Sequence, residues 1–331
     1  MTLGLDIGTT SVSGVAVGGD GAVAATVTQA HAADIPGLPP GVHAQDPARL
    51  MSAVDRVIAA LEAQAGAADR IGWTGQMHGV VGVDRDLRPV TPFVTWRDAR
   101  RFGGRVMAAW AAEGRAVDAC LPICGLAIAR RTGRHVIDST FLHSWHLEEV
   151  EGKVPQSWLP TLDETSMLGD NQAGVYAARH LYPGCAVMNL GTSGQLSVVE
   201  DAPFRPWHVG ALERRPYPGG ETLLCHISLV GGKVFAELRD ELGLTWDEMN
   251  ARAESNERIA NCLREIVDDL VGGIDLSGTS ALVGVGNALT RNPALRRAVE
   301  RRFGIPCVIP RIAEMAAYGA AIRAVRASTC Q

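Results

Sequence analysis

Cys185-Ala-Val-Met-Asn-Leu190, then Gly191-Thr192-Ser193, then the apolar-polar run 195–199, restates a pattern that the chain has already used at its start. There Leu3-Gly-Leu-Asp-Ile7 leads into Gly8-Thr9-Thr10 and the alternating run 11–17. Both stretches read as apolar strand, Gly-Thr turn, strand, because period-two alternation marks a half-buried strand and Gly-Thr suits a tight reversal. A pattern recurring at this distance points to two related halves, each led by a β-hairpin. No helix follows either turn, and neither GxGxxG nor GxxxxGK[ST] occurs. The hairpin reading therefore displaces a Rossmann or P-loop site, whose glycines must open a helix.

Outward from the hairpins, the first half continues with a strand at 23–28 and a Pro-rich loop at 35–41. Asp46-Pro47 supplies an N-cap and first-turn proline for a helix reaching about residue 63. A buried strand at 70–74 leads into Gly75-Gln-Met-His-Gly79, an apolar run at 80–83, a turn at 84–89 and the stretch 93–96. Helical patterns dominate 98–150, and 168–170 reads as a loop before a helix at 171–179. Tyr182-Pro183-Gly184 is the expected boundary, giving domains 1–183 and 184–331. The second half adds helices at 232–242, 257–271, 292–303 and 313–327, with strands at 281–285 and 306–309. Hairpins followed by alternating elements indicate an α/β class with two lobes and a cleft between them.

Bulk properties narrow the function classes. At 331 residues the chain suits two domains, and 47% hydrophobic with 20% charged residues describes a folded globular protein. A formal net charge of −5 offers no global positive field for nucleic acid. Arg296, Arg297, Arg301 and Arg302 follow helical spacing and read as a solvated face. The start of the chain has no signal-peptide pattern and no segment is apolar enough to cross a bilayer, so a cytoplasmic protein without a membrane partner is expected. Seven scattered cysteines, without a CxxC, read as buried thiols in a reducing compartment.

Two Gly-Thr tips facing one another can surround a polyphosphate. Glycine lets backbone N–H groups approach closely, and the hydroxyls add uncharged donors. Asp6, just before the first tip, is placed to hold Mg²⁺ through water, while Asn189 occupies the matching place in the second half.

Six motifs, in order and almost end to end, resemble the FGGY carbohydrate kinases: Asp6-Ile-Gly-Thr-Thr10, Gly75-Gln-Met-His-Gly79, Val94-Thr-Trp-Arg-Asp98, Leu168-Gly-Asp-Asn-Gln-Ala173, Asn189-Leu-Gly-Thr-Ser193 and Gly284-Val-Gly-Asn-Ala-Leu-Thr-Arg-Asn292. Within the family, the Gly-Gln-Met-His-Gly-Val-Val stretch and the Ala-Leu-x-Arg-Asn ending resemble sedoheptulokinases most. The resemblance implies a two-lobed actin-like ATPase (ribonuclease H-like) fold that phosphorylates a sugar or polyol with ATP and Mg²⁺. Carried over residue by residue, it implies Asp170 as catalytic base, with Asn171 beside the acceptor. It implies Gln76, Met77, His78 and Trp96 in the sugar pocket, and Gly8, Thr9, Thr10, Gly191, Thr192, Gly232, Gly284, Gly286 and Asn292 at the nucleotide. Asp6 and Asp170 would share the metal. A second copy of the chain, in a homodimer, is the one macromolecular partner entertained.

The chemistry fits, since phosphoryl transfer needs aligned oxygens, Mg²⁺ and a base near the attacking hydroxyl rather than a covalent nucleophile. Blander readings stand beside it. Asp170 as a mere N-cap, His78 as a satisfied core histidine and Trp96 as core filler are each consistent with the residue type alone. Two features depart from the family. Many members carry Lys or Arg where this chain has Ser13, and the stretches 96–170 and 244–257 are much shorter than in full-length members. A kinase-derived binding or regulatory protein and a hydrolytic ATPase of the same fold therefore stay open beside an active kinase.

Overall fold

A computed structural model describes residues 1–191, 194–228, 231–271 and 273–327. The chain opens with β1 (Thr2–Ile7), β2 (Ser11–Val17), β3 (Val23–Ala30) and β4 (Ala44–Gln45), then α1 (Pro47–Ala65) and β5 (Arg70–Gly75). Next come β6 (Val81–Val83), β7 (Phe93–Val94), α2 (Gly103–Ala112), β8 (Ala119–Leu121), α3 (Ile123–Thr132), β9 (Val136–Ile137), α4 (Ser139–Ser144), β10 (Thr161–Leu162), β11 (Leu168–Gly169) and α5 (Asp170–Leu181). The second stretch holds β12 (Ala186–Leu190), β13 (Gly194–Glu200), β14 (Trp207–Val209), β15 (Leu212–Pro216) and β16 (Thr222–Ser228). It continues with α6 (Gly232–Leu242), α7 (Trp246–Ala251), α8 (Glu257–Val271), β17 (Leu282–Val285), α9 (Asn287–Arg291), α10 (Pro293–Phe303), β18 (Cys307–Val308) and α11 (Met315–Ala327).

The chain divides into two compact units, Met1–Ala177 with everything from Glu314 onward, and Ala178–Ala313. The first has a sheet in the order β11-β5-β1-β2-β3, in which β11, β5 and β1 are parallel and β1, β2 and β3 are antiparallel. The second repeats this plan as β18-β17-β12-β13-β16 and extends it with β15 and β14. The repeat read from the two Gly-Thr stretches is thus a repeat of sheet topology.

Local chemistry explains the first unit. Asp46 caps α1 by accepting from Ala48 N at 2.8 Å, Pro47 occupies its first turn, and Leu50, Val54, Val57, Ile58 and Leu61 form a buried stripe of helical period. The opposite face of the sheet is covered by α11. Gly4 and Gly72, in register on β1 and β5, leave no room there for a side chain: an added Cβ would overlap the carbonyl oxygens of Ala317 and Ala320. The last helix, expected with the second half, therefore belongs to the first unit, and the chain leaves that unit within α5 rather than at Tyr182-Pro183-Gly184.

In the second unit α8 buries Ile259, Leu263, Ile266 and Leu270 at helical spacing, and α7 begins with a reciprocal cap between Thr245 and Glu248. The ladder β14-β15-β16 was not expected from the sequence, and 168–169, read as loop, is a short strand paired with Thr74 and Gly75. Among the described residues no helix is long and apolar enough to cross a membrane. Six cysteines among the described residues are free, five of them buried.

Candidate active site

The first unit gathers its polar residues where three parallel strands end together. Asp6 pairs with Thr74 and Thr74 with Leu168; one residue on, Ile7, Gly75 and Gly169 are aligned. The next residues, Gly8, Gln76 and Asp170, therefore leave the sheet side by side. The hairpin tip is fastened from several directions. Gly8 N donates to Ser11 O (3.0 Å), Gln76 Nε2 donates to Gly8 O (3.2 Å), Gln45 Nε2 donates to Thr9 O (2.7 Å) and Trp96 Nε1 donates to Thr9 Oγ1 (3.0 Å).

Asp6 lies on the floor of this edge. Its Oδ1 is buried and has no hydrogen-bond partner among the described residues. Burial, reinforced by the charges of Asp170 and Glu314, pushes its carboxyl up to about 7. Such a group is destabilised as an anion until a cation arrives. Asp170 is the first residue of α5, and its Oδ1 accepts the Asn171 N–H at 2.7 Å. Ser13, for which the resemblance implied a Lys or Arg in many members, is buried; its hydroxyl lies 3.0 Å from that of Thr28, which donates to Glu314 Oε1 at 3.1 Å.

Of the expected acceptor residues, Gln76 leaves the sheet beside Asp170 and Met77 lies against the residue before it. Met77 packs on Gly169, whose added Cβ would come 2.6 Å from the Met77 sulfur. His78 has a positive φ of 66° and uses Nδ1 to reach Ser144 O at 2.9 Å. Because a carbonyl only accepts, Nδ1 carries the proton in this bond. Gln76 is fully enclosed, and its amide nitrogen braces the tip and Gln45, so its part is structural as well as positional. Trp96 is 47% exposed and not core filler; the Arg97 guanidinium sits 5.4 Å from its ring centre. Two residues that the sequence did not reveal extend this wall: Phe102 and His146 lie 3.9 Å apart between ring centres, and His146 stacks against His78 at 6.2 Å. Nothing in their local sequence marks them, since they come from separate loops.

The second unit holds a cavity of about 570 Å³ lined by Gly191, Gly232, Lys233, Trp246, Gly286 and Asn292 together with Ala236, Asn287, Ala288 and Arg291. Four of the expected nucleotide residues thus share one pocket. Gly232 N donates to Gly191 O at 2.8 Å, and Gly286 (φ 87°) approaches so closely that a Cβ would overlap Leu190 O. Gly284 is different: its missing side chain faces Ile309, Cys307 and Leu289, so it makes room for core packing and does not line the pocket. Asn292 commits its amide nitrogen to Ala288 O (2.8 Å), which joins α9 to α10. Thr192 lies outside the described residues. Lys233, Arg291 and Trp246, the last under the Arg239 guanidinium at 4.4 Å, bring cations and a flat ring that the motifs did not single out.

Comparison with known proteins agrees with this geometry. Residues 1–131 match the N-terminal domain of the FGGY family of carbohydrate kinases. A stretch of 102 residues is 33% identical to xylulose kinase of Escherichia coli (strain K12), covering 30% of this chain and 21% of that relative's length. Gluconate kinase from Lactobacillus acidophilus superposes over 100% of this chain and 89% of its own at TM-score 0.83 and 16% identity. Plasmodium falciparum glycerol kinase with ADP does so over 100% and 90% at TM-score 0.82 and 14% identity. The chain therefore has the α/β actin-like ATPase fold of the sugar kinases, and its first 131 residues are similar to the FGGY N-terminal domain.

Proposed function

We propose that the protein is an ATP-dependent carbohydrate kinase whose acceptor is the hydroxyl of a ketose or polyol. The observation that carries this reading is the emergence of Gly8, Gln76 and Asp170 side by side from three parallel strands, with Asp6 two residues before Gly8 and Trp96 bonded to the hairpin tip. Asp170 takes the proton of the acceptor hydroxyl as its oxygen bonds to the γ-phosphorus of ATP. The bond from that phosphorus to the bridging oxygen breaks, and ADP leaves. Nucleotide is assigned to the cavity around Gly191, Gly232 and Gly286, where Trp246 offers a face for the base and Lys233 a positive charge. The orphaned Asp6 oxygen and its acidic neighbours suit a hard cation, so Asp6 and Asp170 would hold Mg²⁺. A bound Mg²⁺ would neutralise charge on the phosphates.

The acceptor class rests on two likenesses. The 33% identity to a xylulose kinase favours a ketose, and the stretch Gln76–Val81 with the Ala-Leu-x-Arg-Asn ending favours a seven-carbon one such as sedoheptulose or a related cyclitol. Short connections at 96–170 and 244–257 would widen the acceptor pocket. A second reading, a kinase-derived binding protein with little turnover, is favoured by Ser13, which engages Thr28 where the family places a cation. Product analysis after incubation with Mg·ATP and sedoheptulose, xylulose, ribulose, glycerol, gluconate and a C7 cyclitol tests both. A phosphorylated ketose or polyol with stoichiometric ADP is expected. Binding without product would leave the second reading, and acceptor-independent ADP release would identify a hydrolase.

A further inference from the structure

The short helix α4 is fastened at both ends to segments of the acceptor side. At its start, the buried Asp138 carboxylate accepts the Phe141 N–H at 3.1 Å and the Thr140 hydroxyl at 2.8 and 2.9 Å. The oxygen of that hydroxyl accepts the Gly169 N–H at 2.8 Å. Thr140 spends its single proton on Asp138, so its lone pair must point at Gly169, and Gly169 is the residue before Asp170. At the other end, Ser144 Oγ donates to Phe141 O at 2.7 Å and accepts the His78 N–H at 3.1 Å, while Ser144 O accepts His78 Nδ1–H at 2.9 Å. The next residue, Trp145, donates its Nε1–H to Gly79 O at 3.0 Å.

These bonds begin where the sheet ends. The pairing of β5 with β11 stops at Gly75 and Gly169, so no ladder bond of that pair reaches His78 or Asp170. His78 also holds a left-handed backbone, which a non-glycine residue keeps only when its surroundings over-determine it. The two bonds to Ser144 provide that determination.

We propose that Asp138, Thr140 and Ser144 are positioning residues, and that α4 is a brace fixing the base Asp170 relative to the acceptor-holding His78. This rests on the kinase reading above. Catalysis gains from such a brace because a base and an acceptor group contribute fully only when held near the productive geometry.

Steady-state kinetics of the full chain, with Mg·ATP and the acceptor that gives most product, tests the brace. Thr140→Val should lower kcat by about 10- to 100-fold, as expected for a misplaced base, with the ATP KM within about twofold of wild type. Thr140→Ser, which restores the hydroxyl, should recover most of that loss. Ser144→Ala should raise the acceptor KM at least about fivefold while kcat changes little, because it loosens a group that binds rather than reacts. A folded Thr140→Val with wild-type kcat overturns the proposal, and so does Ser144→Ala with unchanged acceptor KM. The second criterion decides alone if circular dichroism shows Thr140→Val unfolded. A wild-type chain that phosphorylates nothing overturns the kinase reading and the brace together; an active wild type with neutral variants overturns the brace alone.

Discussion

Ser13 lies directly across the β1–β2 ladder from Asp6, and no positive charge comes with it. Ser13→Lys would put an ammonium beside a carboxyl whose named neighbours are Asp170 and Glu314. The expected result is ATP bound several-fold more tightly, corresponding to roughly 1 kcal/mol from one charge-assisted contact in a partly screened site. Isothermal titration with ATP, or the ATP KM, reads this out. Unchanged affinity would mean that the phosphates do not pass near Ser13.

Asp170→Asn keeps the size and the acceptor oxygen that receives the Asn171 N–H. The fold and nucleotide affinity should persist while kcat falls by about 10² to 10⁴, the usual worth of a positioned general base. Near-wild-type turnover would remove Asp170 from the chemistry.

Gly191→Val tests the cavity of the second unit without disturbing its walls. An added Cβ at Gly191 meets nothing within 4 Å among the described residues, so thermal stability should be retained. The side chain would nevertheless enter the space assigned to nucleotide and weaken ATP binding by about tenfold or more, because displaced phosphates lose charge-assisted contacts. Unchanged affinity would place the nucleotide elsewhere.

Asp138 supplies a pH signature. Its burial raises the carboxyl from the ordinary 3.8 to about 7 despite the bonds from Phe141 and Thr140. The folded chain therefore holds this proton more tightly than the unfolded one. The associated stabilisation is complete below about pH 4 and is lost as pH rises through about 7. An amide in place of this carboxyl, as in Asp138→Asn, cannot ionise but still offers the cap an acceptor. Chemical denaturation between pH 5 and 8 should show wild type losing up to a few kcal/mol relative to Asp138→Asn across that window. Parallel curves for the two proteins would contradict it.

Gly4→Ala probes the packing of α11. Its Cβ would overlap Ala317 O, a backbone atom that cannot swing aside, so the cost should be at least about 2 kcal/mol, beyond ordinary overpacking by a methyl group. A Tm within a degree of wild type would show that the helix can lift from the sheet.

The paired strands of both hairpins and, to within one residue, the start of the helix at Asp170 were legible in the sequence, because strand alternation and a Gly-Asp-Asn helix start are local signals. The links that order the segments around His78 and Asp170 were not. Thr140 to Gly169 and Ser144 to His78 are bonds across 29 and 66 residues, and no spacing rule announces them. Gly284 and Gly286 show a subtler limit. Two residues apart in a strand they would share a face, but β17 ends at Val285 and Gly286 turns to φ 87°, so only the second reaches the pocket. The ladder β14–β16 escaped because Trp207 and Val209 are exposed while Arg214 and Arg215 are engaged by carboxylates, which blurs the apolar alternation.

The seating of α11 on Gly4 and Gly72 also sets an order of events during synthesis. The strands it covers leave the ribosome well before it, since the covering helix is made more than two hundred and thirty residues after β5. Until residues 315–327 emerge, one face of the first sheet stays open to water and to other nascent chains, and such transiently exposed apolar surface is where aggregation and chaperone capture concentrate. A ribosome-bound chain stalled before residue 315 should therefore remain protease-sensitive across β1 and β5, and release of the last helix should close both at once.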